Sequence, residues 1–62
     1  MSEAGLRSFY NAVRAAEGKP GNDPHWALLS QLIGLAWQRY EISDDDANAL
    51  EQMMRALRFP RR

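Results

Sequence analysis

Chemistry in this chain would have to start from His25, the single histidine of a 62-residue sequence that contains no cysteine. A nucleophile–base pair could be built only from that imidazole and one of Ser2, Ser8, Ser30 or Ser43. His25 falls in the first turn of a helix, and none of those serines stands at a spacing that favours contact with its ring. A structural or solvent-facing histidine accounts for it, and the sequence reads as that of a protein that is not an enzyme and takes no cofactor.

The run Asp44, Asp45, Asp46 offers carboxylates to a hard cation. Calcium loops, however, set their ligands at alternating positions around a glycine bend, and this run does neither. Three aspartates at a helix start instead complement the positive end of the helix dipole. Gly18 and Gly21 make no phosphate loop, because no strand precedes them and no lysine–serine or lysine–threonine pair follows. No metal is expected.

Arg55, Arg58 and Arg62 would share a face if the last turn stayed helical, and Arg61 adds a fourth charge, so these four are the candidates for phosphate contacts. Cations at a helix C-terminus also offset its negative end, and Glu51 stands four residues before Arg55, as an ion pair requires. In a helix-turn-helix, residues that begin the recognition helix touch base edges. Here those would be Asp44, Asp45 and Asp46, which phosphates repel, so direct nucleic-acid binding is the weaker expectation.

These groups must be positioned by helices. From residue 3 to 17, Leu6, Phe9, Tyr10, Val13 and Ala16 step by three and four, with Ser2 as N-cap and Gly18 as a left-handed stop. Asp23 before Pro24 starts a second helix, expected over 24–40. Inside it Gly34 is expected to mark a close helix crossing. Ser43 to Asp46 forms the aspartate variant of a capping box, with Ile42 stapling against Ala47, and Pro60 ends a third helix over 44–58. Its buried side carries Ala47, Leu50, Met53, Met54 and Leu57. The expected fold is all-α: one three-helix domain over 1–62.

The second helix is too apolar for a single buried face. Trp26, Leu29, Ile33, Ala36, Trp37 and Tyr40 make one stripe, and Leu28, Leu32 and Leu35 a second beside it, together covering roughly 200° where about 100° is usual. A domain of this length is close to the lower limit of self-sufficiency, and without cysteine it has no disulfide to help. The expectation is therefore a partner, either another protein or a second copy dimerising through the second helix. The residues expected to meet it are Trp26, Leu28, Leu32, Leu35, Trp37, Met53 and Met54. Eight basic and eight acidic residues balance, so no global field draws the chain to nucleic acid or a membrane surface. No apolar run approaches the roughly 20 residues of a membrane span. The absence of a basic start and apolar run gives a cytoplasmic expectation. By analogy of size, a small bacterial regulator such as an inhibitor or antiactivator is the expected role.

Overall fold

In the computed structural model, residues 3–60 are described, and they form three helices with no strand among them: α1 (Glu3–Ala15), α2 (Pro24–Gln38) and α3 (Asp44–Arg58). Ser2, expected as a cap, and Arg61 and Arg62, expected near phosphate, lie outside the described residues.

Each boundary follows from local chemistry. The Asp23 carboxylate accepts the His25 backbone N–H at 2.8 Å, and Pro24 occupies the first helical position, where no N–H is needed. At α3 the Ser43 hydroxyl accepts the Asp46 N–H at 3.1 Å, and Asp44, Asp45 and Asp46 fill the first turn. Two ends fall short of expectation. α1 stops at Ala15 because the chain tightens into three-residue turns, with Ala16 N–H to Val13 O and Glu17 N–H to Arg14 O, before Gly18 turns left-handed at φ 92°. α2 stops at Gln38 because Tyr40 adopts φ 58°. Tyr40 N–H then bonds to Trp37 O, and Glu41 N–H to Ala36 O at 2.9 Å. That pair of bonds is a Schellman closure with a tyrosine where glycine is usual.

All three helices contribute to one core of Val13, Ala16, Trp26, Leu29, Ile33, Ala36, Ile42, Leu50 and Met54. Leu6, Phe9, Tyr10, Ala47, Met53 and Leu57 pack half-buried against it. Trp26 is the largest sealed side chain, and its indole N–H donates to the Pro20 carbonyl at 3.0 Å, so the α1–α2 loop is tied to the core. The next residue of that loop is held by Arg58, whose Nε donates to the Gly21 carbonyl at 2.6 Å while its guanidinium lies 5.0 Å over the Phe59 ring. No described helix is long and apolar enough to cross a membrane.

The structure departs from the sequence pattern at three further points. Gly34 marks no crossing within the chain, since a Cβ placed on it would meet nothing within 4 Å. Tyr40 leaves the buried stripe: it would lie near the stripe's centre if α2 continued, but the left-handed residue turns it outward to 94% exposure. The ion pair between neighbouring turns recorded among the described residues is Arg7–Glu3 at 3.6 Å, not Glu51–Arg55.

Candidate functional site

Which of the two apolar stripes of α2 is buried was open in the sequence. The packing of α1 and α3 selects the stripe through Trp26, Leu29, Ile33 and Ala36. At about 100° per residue, the row Leu28, Leu32, Leu35 sits roughly 115° around the helix from that stripe. It is left in solvent, with Leu28 50%, Leu32 44% and Leu35 48% exposed. Arg39 extends the same row by another turn and is exposed as well.

Of the residues expected to meet a partner, the structure brings these three leucines together. Trp37 is also half-exposed, but on the opposite flank of the buried stripe, where its indole N–H donates to the Asp44 carboxylate at the start of α3. Trp26 and Met54 are instead core residues: Trp26 has no accessible surface and Met54 keeps only 4%, which leaves neither a face to give to a partner. Met53 lies half-buried against the same core. A candidate the sequence reading had placed inside is Tyr40, which shares a shallow concavity with Trp37, Ser43 and Asp44. A tyrosine holding a strained left-handed backbone in full exposure is a signal of use that only the backbone angles disclose.

The outer surface of α2 differs in kind from those of its neighbours. Its exposed positions after the first turn are Ala27, Leu28, Gln31, Leu32, Leu35, Trp37 and Gln38, and none carries a charge. The corresponding surface of α1 carries Glu3, Arg7 and Arg14, and that of α3 carries Asp44, Asp45 and Arg55. Depletion of charge with retention of large apolar side chains is the compositional mark of an interface centre. Full burial of a leucine contributes about 1.5–3 kcal/mol, so covering the exposed half of three adds on the order of 3 kcal/mol. Association itself costs an estimated 4–15 kcal/mol, so the leucines alone do not hold a tight complex, and flanking contacts must join them.

The polar candidates are differently disposed. Arg58 is committed to Gly21 and Phe59, which leaves Arg55 as the open cation of the expected phosphate group among the described residues. The Ser8 hydroxyl donates to the Ala4 carbonyl at 3.1 Å and the Ser43 hydroxyl caps α3, so both serve helix backbone. Among the described residues no three histidine, aspartate or glutamate side chains converge as a metal site. Compared with known proteins, the chain matches no family model, no curated sequence and no solved structure.

Proposed function

We propose that this chain is a non-enzymatic docking protein that binds another protein chain through the outer face of α2. The observation that carries the reading is the uncharged ridge of Leu28, Leu32 and Leu35, half-exposed on a helix whose other stripe already fills the core. Such a ridge fits helix-in-groove recognition, in which apolar side chains one turn apart seat in a partner's hydrophobic cleft. A protein of this size then acts by occupancy. It covers or reshapes the surface its target uses, as a small cytoplasmic inhibitor or antiactivator of a bacterial transcription regulator does.

A duplex-binding role draws less support, because Arg58 is engaged internally and three aspartates head α3. Two variants test the docking role. Leu28→Asp and Leu32→Asp are expected to keep the helical dichroism of the parent chain and to lose the protein that the parent chain captures from its native host. Capture unchanged in both variants overturns the reading. Retention of generic duplex DNA in a mobility shift, falling steeply with salt, favours the nucleic-acid role instead.

A further inference from the structure

We propose that the occupant of the leucine ridge is a second copy of this chain, paired antiparallel through α2 about a twofold axis beside Gln31 and Leu32. The proposal rests on reading the ridge as a docking surface, and three features specify a copy of itself as what docks.

A twofold contact sets every residue near the axis against its own copy, so a charge there repels itself. At the middle of the ridge stand Gln31 and Leu32, both exposed and neither charged. A glutamine amide carries donor and acceptor together and can bond to its own copy, and leucine packs on leucine. The interface is then isologous and closes at two chains.

The ends of α2 add direction. From Asp23 to Arg39 the segment has no charge except at these two caps. Antiparallel pairing puts Leu28 against the partner's Leu35 and sets Arg39 at the end of the pair where the partner carries Asp23, once at each end. Parallel pairing would face like with like at both ends and align the two helix dipoles unfavourably. Arg39 has no carboxylate partner among the described residues, and the Asp23 carboxylate uses one oxygen on its own cap. The third feature is size: a domain of 62 residues with no cysteine belongs to the class for which association supplies missing burial. Self-pairing and target capture compete for one ridge, so capture declines as the chain is concentrated.

Light scattering on the full chain is expected to rise with concentration to twice the 7.1 kDa of one chain, and Leu32→Asp to return it to one. Since the sequence lacks cysteine, single substitutions map the register even where Leu32→Asp fails to fold. Under mild oxidation Leu32→Cys should link to itself, and Leu28→Cys should link to Leu35→Cys in a mixture but not to itself. Ala56→Cys, exposed on α3, gives the collisional background. A single-chain mass at every concentration, or cross-linking no higher than that background, overturns the proposal, and self-linking of all three ridge variants overturns the antiparallel pairing. A chain that stays monomeric while Leu28→Asp and Leu32→Asp keep full helicity discards the second copy and leaves the docking surface standing. Loss of helicity in those variants of a monomeric chain removes the docking surface itself.

Discussion

Arg58 and Gly21 stand 37 residues apart in sequence, yet the guanidinium Nε of one donates to the backbone carbonyl of the other at 2.6 Å. The bond closes the α1–α2 loop onto the end of α3, and a partly buried, charge-assisted bond of this kind is worth about 1.5–3 kcal/mol. Arg58→Met keeps the aliphatic stem and removes the donor. It is expected to lower stability by about 1–2 kcal/mol, or roughly 4–16 °C in the midpoint of thermal unfolding for a domain this small. An unchanged midpoint would show that the contact contributes nothing.

The two N-caps give an additivity test. Asp23→Ala and Ser43→Ala each remove one acceptor from a helix start, at about 1 kcal/mol apiece. α2 separates the caps by roughly 22 Å, far enough for independence. Urea titration of the double variant should therefore return the sum of the single losses, about 2 kcal/mol. A shortfall would mean that one cap is replaced by another group once it is lost.

Trp26 and Trp37 predict opposite outcomes from the same substitution. Trp26→Ala empties the centre of the core and removes the bond to Pro20, at about 3–5 kcal/mol, which is comparable to the whole stability of a small domain. The expected dichroism is that of an unfolded chain. Trp37→Ala takes away a half-exposed ring and should cost within about 1 kcal/mol. A folded Trp26→Ala chain would refute the assignment of this core.

Tyr40→Gly should stabilise the chain. A side chain at φ 58° costs roughly 1–2 kcal/mol of backbone strain, and the ring is 94% exposed, so little packing is lost with it. After the extra freedom of glycine in the unfolded state is subtracted, a gain of about 0.5–1 kcal/mol is expected by thermal melting. A lower midpoint would reveal a role for the ring in the fold. If Tyr40 serves a partner, the same variant is more stable and binds less well.

How far the sequence could be read differs from element to element. The start of α2 and both ends of α3 were legible because Asp23–Pro24, Ser43 and Pro60 act within a few residues of themselves. The end of α2 was not, because a left-handed tyrosine leaves no trace in composition; a glycine at position 40 would have announced it. The candidate ridge was visible as an apolar surplus, but periodicity treats Leu28, Leu32 and Leu35 no differently from Leu29 and Ile33. Only the approach of α1 and α3 decides which stripe is covered. Trp26 and Met54 were placed at the partner for their residue type, and the structure spends both on the core. The tie between Arg58 and Gly21 joins positions that no local pattern connects.

The two indoles also make the molecule its own optical probe. One is sealed among aliphatic groups and the other sits half in water beside a carboxylate. A small aqueous quencher should therefore extinguish the redder, Trp37 part of the emission and spare the bluer, Trp26 part. Under denaturation the spared part becomes accessible too, so one cuvette reports folding from one ring and events at the start of α3 from the other, with no label attached.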